Sequence, residues 1–317
     1  MRKVIIMHQL PQHLLDKLAT RFPQIRFETM PKPYDPTLMA DAEVLFGWGN
    51  RGLLDHAKNL KWLHSMSAGV DTFLDEVDEL FGNDLLVSNS AGIYGVPISE
   101  HLLALMLAMS HQIGRSVLNM PAGHWGNVPH CRELTGATVA IVGYGDIGSH
   151  LAALLQPFHC TVLGFKRSPV EKPDDMDEML YGDDGLDDLM ARADYVCICL
   201  PGTEKTRNLI DRRRIAMMKP TAALLNIGRG YIVDTDALTE ALAAGQIAGA
   251  GLDVTEPEPL PPAHPLWSLP NAIITPHISG YTSPQWEERQ VEFFSRNLEA
   301  YLAGLPLPGA VDRIHRY

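Results

Sequence analysis

Residues Thr138–Ile141 form a short apolar run that breaks into Gly143-Tyr144-Gly145-Asp146-Ile147-Gly148, and Ser149–Phe158 then carries the apolar spacing of a helix. Strand, glycine turn and helix in this order form the opening unit of a dinucleotide-binding domain. Gly143 permits the tight turn, Gly145 lets the backbone approach a pyrophosphate, and Gly148 lets helix and strand pack closely. The helix N-terminus offers unpaired N–H groups and the positive end of its dipole to the phosphates. The turn begins at position 143 of 317, so another domain's worth of chain precedes it.

That preceding segment has its own pattern. Strands are expected at Val4–Met7, Ile25–Glu28, Val44–Gly47, Trp62–Ser65 and Leu86–Ser88, with a helix over Pro11–Phe22. Such alternation predicts parallel βαβ construction, here without a phosphate-binding glycine loop. Ser99–His111 predicts a helix buried on most sides, and Pro121–Pro129 a loop carrying Trp125. A second series follows at Thr138–Val142, Thr161–Phe165, Tyr195–Leu200, Ala222–Asn226, Gly249–Val254 and Ala272–Thr275, the six strands that a dinucleotide-binding sheet needs. Pro284–Ala303 predicts a long helix with no strand after it, which returns to the first domain. The expected fold class is α/β, with two doubly wound parallel-sheet domains. A substrate domain covers 1–98, a dinucleotide-binding domain covers 99–281, and 282–317 completes the first. Ligands of such sheets bind at the carboxyl ends of the strands, so the reacting site is expected in the cleft between the domains.

Composition narrows the partners. A net charge of −12 argues against a nucleic-acid binder, whose surface is basic. Arg212-Arg213-Arg214 is too short to reverse that and reads as a solvated helix start. Cys131, Cys160, Cys197 and Cys199 have neither metal-like spacing nor a paired framework. Cys197 and Cys199 face one side of a strand as small buried filler, and no metal is expected. Free thiols suit a reducing compartment. The chain opens on a strand rather than a signal peptide, and Leu102–Met109 is too short to span a membrane, so a cytoplasmic location without membrane association is expected.

The second strand of the later series discriminates between coenzymes. NAD binders usually present an acid about twenty positions after the turn, where it bonds the ribose 2′-hydroxyl. Here that place holds Lys166-Arg167-Ser168, with no acid until Glu171. Cations and a hydroxyl suit a 2′-phosphate, which a carboxylate would repel. NADP(H) is therefore the expected coenzyme, with NAD(H) possible. Asp146 opposes the pyrophosphate unless it caps the helix or faces solvent.

Three landmarks follow later strands. Arg229 lies in Asn226-Ile227-Gly228-Arg229-Gly230, acids in Leu252-Asp253-Val254-Thr255-Glu256-Pro257-Glu258, and an imidazole in Thr275-Pro276-His277. A cation, a carboxylate and an imidazole, each past its own strand, form a set suited to carbonyl chemistry beside a nicotinamide.

With these residues the chain resembles the D-isomer-specific 2-hydroxyacid dehydrogenases over nearly its whole length. The resemblance rests on Ser67-Ala68-Gly69-Val70-Asp71, Gly143–Gly148, Leu200-Pro201, Gly228-Arg229-Gly230, Asp253–Glu258 and Thr275-Pro276-His277. It implies a Rossmann coenzyme domain inserted into a flavodoxin-like substrate domain, and hydride transfer between a nicotinamide coenzyme and a small 2-oxo or 2-hydroxy acid. It also implies a homodimer, with contacts near Ser99–His111 and Trp125. Arg229 matches the arginine that binds the substrate carboxylate, and His277 the general acid and base. Glu258 matches the partner that orients the imidazole and favours its protonated form. Asp253 matches the residue that holds the nicotinamide carboxamide, while Leu200, Pro201 and Thr206 belong to the coenzyme site. Ser67 and the backbone amides of Gly69 and Val70 match a second carboxylate contact, and Asn89 and Tyr94 are assigned to the substrate space.

Glu258 argues against the formate dehydrogenases, which carry an amide there. The chain ends at Tyr317 without the regulatory extension of many phosphoglycerate dehydrogenases. Arg51 is the only cation in the Gly47–Leu53 loop, so no phosphorylated substrate is expected. Lys166-Arg167 agrees with the NADPH-preferring glyoxylate and hydroxypyruvate reductases. The leading expectation is a reductase of small 2-oxo acids. Its alternatives are NAD-dependent oxidation of D-2-hydroxy acids and a coenzyme-sensing binding protein like the co-repressor relatives.

Overall fold

The computed structural model describes residues 1–30, 32–126, 131–282 and 284–314. The chain divides into two compact units, one of Met1–Tyr94 with Thr282–Tyr317 and one of Gly95–Tyr281.

In the first unit the elements alternate: β1 (Arg2–Ile6), α1 (Gln12–Arg21), β2 (Ile25–Thr29), β3 (Val44–Gly47), α2 (Arg51–Leu54), β4 (Trp62–Ser65), α3 (Leu74–Phe81) and β5 (Leu86–Ser88). All strand pairs are parallel, in the order β2-β1-β3-β4-β5. That is the flavodoxin-like order. Because strand side chains alternate, Val4, Ile6, Phe46 and Trp62 share one buried cluster while Ile5, Leu45 and Leu63 enter another.

The second unit begins with α4 (Gly95–Ser110) and α5 (Ile113–Asn119), then runs β6 (Thr138–Val142), α6 (Asp146–Leu155), β7 (Thr161–Lys166), β8 (Glu178–Tyr181), α7 (Gly182–Arg192) and β9 (Tyr195–Ile198). It continues with α8 (Arg212–Met217), β10 (Ala223–Asn226), α9 (Thr235–Ala243), β11 (Gly249–Leu252) and β12 (Ala272–Ile274). The sheet order is β12-β11-β10-β9-β6-β7-β8, the Rossmann order with one strand added at the β12 edge. The final helix, α10 (Gln285–Ala303), belongs to the first unit, where Phe294 stacks on Phe46 with ring centroids 4.1 Å apart. Truncating so buried an aromatic costs about 3–5 kcal/mol.

Three expectations need correction. The second sheet has seven strands, not six, because β8 was not foreseen. An edge strand rests on one neighbour and stays half-buried, and the short apolar run Met179–Tyr181 stands between acidic stretches that read as loop. Arg212 and Arg213 are solvated, but Arg214 is buried on Asp183, Asp187 and the Leu209 carbonyl. Cys199 lies just past its strand and is only partly buried, unlike Cys197. Residues 127–129 of the Pro121–Pro129 loop lie outside the described residues. Among the described residues no helix is long and apolar enough to cross a membrane.

Candidate active site

Register places the site. Phe165, Val142, Ile198, Asn226, Leu252 and Ile274 lie in one hydrogen-bonded row across the second sheet. The next residue of each strand is Lys166, Gly143, Cys199, Ile227, Asp253 and Thr275, so the sequence landmarks emerge along one carboxyl edge.

At β6 this edge is the glycine turn. Gly143 has φ +109°, and a Cβ there would lie 2.9 Å from the Cys199 backbone. A Cβ on Gly148 would lie 2.5 Å from the Gly143 carbonyl oxygen, whereas one on Gly145 would enter open space. The turn is thus closed where helix meets strand and open where a pyrophosphate approaches, which fits a dinucleotide. Ile147 is half-buried in the first turn of α6. Asp146 is not the cap, which is Gly145; it occupies the first helical position, and its carboxylate lies 3.4 Å from His150 Nδ1. An acid in that turn is stabilised by the helix dipole. The Tyr144 hydroxyl donates to Asp175 Oδ1 at 2.8 Å, and burial together with that carboxylate pushes the phenol up to about 12. Asp175 was missed because it lies far along the crossover from β7.

Lys166 ends β7 half-buried, and Arg167 and Ser168 are exposed. Neither cation has a carboxylate partner among the described residues. Leu200 and Pro201 follow β9, and the Thr206 hydroxyl accepts from Thr203 N–H and lies 3.0 Å from the Pro201 carbonyl oxygen, closing that turn.

The chemistry-bearing side chains follow three neighbouring strands, β10, β11 and β12. Asn226 braces the first loop: its Nδ2 donates to the Arg229 carbonyl at 2.8 Å and its Oδ1 accepts from Gly228 N–H. A Cβ on Gly230 would fall 2.0 Å from the Thr255 backbone, so only glycine lets the Arg229 turn lie directly on the segment leading to Glu258. His277 has φ +53°, and its Nδ1 stands 2.6 Å from Glu258 Oε1. Its Nε2 has no partner among the described residues. Both side chains are nearly half exposed, 48% and 41%.

Asp253 is buried, and its carboxylate accepts from Thr275 Oγ1 at 2.6 Å, Ile278 N–H at 2.9 Å and Ser279 N–H at 3.0 Å. Burial opposes its charge, but the bonds from Ser279, Thr275 and Ile278 win and hold the carboxyl below the usual range. The Asp253 carbonyl also accepts from His277 N–H at 2.9 Å. Asp253 therefore clamps the loop that carries the imidazole, a task its sequence position did not disclose. His101 on α4, also missed, reaches Thr275 Oγ1 at 3.1 Å.

In the first unit, the loop after β4 holds Ser67, Gly69 and Val70. Ser67 Oγ accepts from Trp48 Nε1 at 2.9 Å. The amides of Ala68, Gly69 and Val70 have no partner among the described residues, as an anion nest requires. Asn89 Nδ2 donates to the Ala68 carbonyl at 2.7 Å. Tyr94 departs from its assignment as a substrate ligand. Its hydroxyl donates to the Met66 carbonyl and accepts from Trp286 Nε1 and Gln290 Nε2, leaving nothing for a ligand.

A sheet edge that cradles a dinucleotide and, on neighbouring strands, sets an imidazole on a carboxylate is equipped for proton-coupled hydride transfer. The class is an NAD(P)-dependent dehydrogenase. The family description "D-isomer specific 2-hydroxyacid dehydrogenase, NAD binding domain" matches residues 103–279, more than half of the chain, and the chain belongs to that family. It is 36% identical over 287 residues to glyoxylate/hydroxypyruvate reductase B of Pectobacterium carotovorum, covering 88% of each chain. A D-isomer specific 2-hydroxyacid dehydrogenase family protein of Aeromonas salmonicida superposes with a TM-score of 0.87 at 33% identity, covering 98% of this chain and 99% of that one. An NADPH-dependent glyoxylate/hydroxypyruvate reductase of Sinorhizobium meliloti, solved with NADP and sulfate, gives 0.84 at 25% identity over 100% of both chains.

Proposed function

We propose that the protein is an NADPH-preferring reductase of small 2-oxo acids to D-2-hydroxy acids, of the glyoxylate and hydroxypyruvate type. The single observation that carries this reading is His277 held on Glu258 at the carboxyl edge of a dinucleotide-binding sheet. The named reductases among its relatives support the substrate class.

When bound, the coenzyme supplies the hydride that the carbonyl carbon accepts. Arg229 binds the substrate carboxylate through its planar fork and polarises the neighbouring carbonyl. The amides of Gly69 and Val70, with Ser67 beside them in the first unit, offer a second carboxylate contact. His277 Nε2–H gives its proton to the carbonyl oxygen as the carbon is reduced, completing the hydroxyl; in reverse the same nitrogen removes that proton. Glu258 accepts from Nδ1–H, which fixes the ring orientation and leaves Nε2 as the working nitrogen. Gly143–Gly148 hold the pyrophosphate and Asp253 the carboxamide end, with Leu200, Pro201 and Thr206 alongside.

Lys166, Arg167 and Ser168 receive the 2′-phosphate. Replacing Lys166 and Arg167 together by alanine should lower kcat/KM for NADPH by about 10²-fold, as for two charge-assisted contacts worth roughly 1.5 kcal/mol each, while the NADH value changes by less than about threefold. Steady-state kinetics with both coenzymes checks this. A wild-type kcat/KM higher with NADH would remove the coenzyme preference and favour NAD-dependent oxidation.

The homodimer is part of this reading. Ile113, Val117, Leu118 and Met120 are more than half exposed, and Trp125 is fully exposed. Beside them a groove of about 620 Å³ runs along the amino ends of the strands between Met109, Ala223 and Ile273. A self-complementary pair of such faces buries both in a two-fold dimer. Light scattering after gel filtration should give twice 35.0 kDa for the wild type and a monomer for a Val117→Asp, Leu118→Asp variant. The four cysteines form no disulfide, which fits a cytoplasmic enzyme.

A further inference from the structure

The carbonyls of the loop that leads to the Gly69 and Val70 amides are held on donors elsewhere in the first unit. Four consecutive carbonyls, from Ser65 to Ala68, each face a donor within the first unit. Ser65 O lies 2.8 Å from the Ser90 hydroxyl, Ser67 O accepts from Ser90 N–H at 3.1 Å, and Ala68 O accepts from Asn89 Nδ2. Met66 O accepts twice, from the Tyr94 hydroxyl and from Gln290 Nε2 at 2.6 Å.

Gln290 links these anchors. It is fully buried on α10, among the apolar side chains of Trp286, Val291, Phe294 and Leu298. Its Nε2 also donates to the Tyr94 hydroxyl at 3.1 Å, and its Oε1 lies 2.8 Å from the Ser90 hydroxyl. Ser90 in turn touches His64 Nε2 at 3.3 Å, and His64 Nδ1 lies 2.6 Å from Ser88 Oγ, which accepts from Trp62 Nε1 at 2.8 Å. Burial pushes His64 down to about 3, so the ring is neutral and passes the chain on with one nitrogen donating and the other accepting. Both N–H bonds of the Gln290 amide are used, and its oxygen shares the single Ser90 hydroxyl proton with the Ser65 carbonyl. A buried amide among apolar side chains is costly unless bonded, and this one spends its bonds on the loop of the nest and its two anchors.

We infer that Gln290 is the positioning residue of the substrate-carboxylate nest. Through Met66 O, Tyr94 and Ser90 it fixes the peptide planes of residues 65–68, and so aims the amides of Gly69 and Val70. It touches no substrate. This rests on the proposed reading of those amides as a carboxylate contact. Residues far along the chain thus set affinity for the acid without altering the coenzyme site.

The test compares Gln290→Met, which keeps size and removes the amide, with Asn297→Leu. Asn297 is a fully buried amide on the same helix that bonds Phe293 O and Gly309 N–H but not the loop. Glyoxylate or hydroxypyruvate and NADPH are the probes. Gln290→Met should raise KM for the 2-oxo acid about tenfold, the effect of one lost charge-assisted bond, with kcat within about threefold. The dissociation constant of NADPH should stay unchanged. Asn297→Leu should lower Tm by a similar amount and leave KM alone. Tyr94→Phe, which keeps the ring and removes one bond to Met66 O, should raise KM in the same direction, and decides the matter if Gln290→Met does not fold. Gly69→Pro, which deletes one nest amide, separates the two claims. A raised KM in Gly69→Pro with none in Gln290→Met or Tyr94→Phe overturns the positioning role and leaves the nest standing. An unchanged KM in Gly69→Pro overturns the nest and the positioning role with it.

Discussion

Replacing His277 by alanine should lower kcat by about 10³-fold while NADPH binds with its wild-type dissociation constant, because a positioned general acid contributes roughly 10²–10⁴-fold. The structure separates these two properties. The imidazole stands past β12, whereas the glycine turn and Lys166 follow β6 and β7 at the other side of the sheet. The histidine backbone is held by Asp253, not by its own ring, so the loop should survive the truncation. Coenzyme fluorescence titration with steady-state turnover of the same variant checks both halves. Wild-type turnover in that variant would remove His277 from the reaction.

Arg229→Gln should act differently. Its kcat/KM for the 2-oxo acid should fall by about 10²–10³-fold, the roughly 3–4 kcal/mol expected when a carboxylate loses its charged, hydrogen-bonded partner. Most of that loss should enter as a raised KM, with a smaller part in kcat from the lost polarisation of the carbonyl. Arg229→Lys should recover less than a tenth of the loss, because a point charge does not reproduce the planar fork. Measured over a substrate range extended well above the wild-type KM, these variants distinguish binding from chemistry. An unchanged KM in Arg229→Gln would place the carboxylate elsewhere.

What was legible in the sequence was whatever a local pattern enforces. The glycine turn was readable because Gly143 must adopt a positive φ and Gly148 must touch the Gly143 carbonyl, constraints that leave glycine at fixed spacing. The five strands of the first unit and the helix ending at Ala303 were readable from buried apolar periodicity. Arg229, Glu258 and His277 stood out because each lies in the loop past its own strand. The parts that escaped depend on distant pairings. Asp175 meets Tyr144 across a long crossover, and His101 meets Thr275 from the far end of its unit. Gln290 was not singled out, because the groups it bonds lie some two hundred positions earlier, at Met66, Ser90 and Tyr94. Tyr94 was placed with the substrate because it lies where the chain passes from one domain to the next; only the bonds to its hydroxyl show that it faces inward. β8 escaped because its three apolar residues, Met179–Tyr181, are set between the acidic stretch Asp174–Glu178 and Asp183-Asp184.

The most direct measurement of the central claim is the reaction itself. Purified protein is given NADPH and a series of 2-oxo acids from glyoxylate through hydroxypyruvate to phenylpyruvate, and the configuration of each chiral product is determined. The account predicts one NADPH consumed per 2-oxo acid, products of D configuration, and the highest kcat/KM among the smallest acids. Products of L configuration, or no turnover of any acid in the series by a protein that binds NADPH, would contradict it.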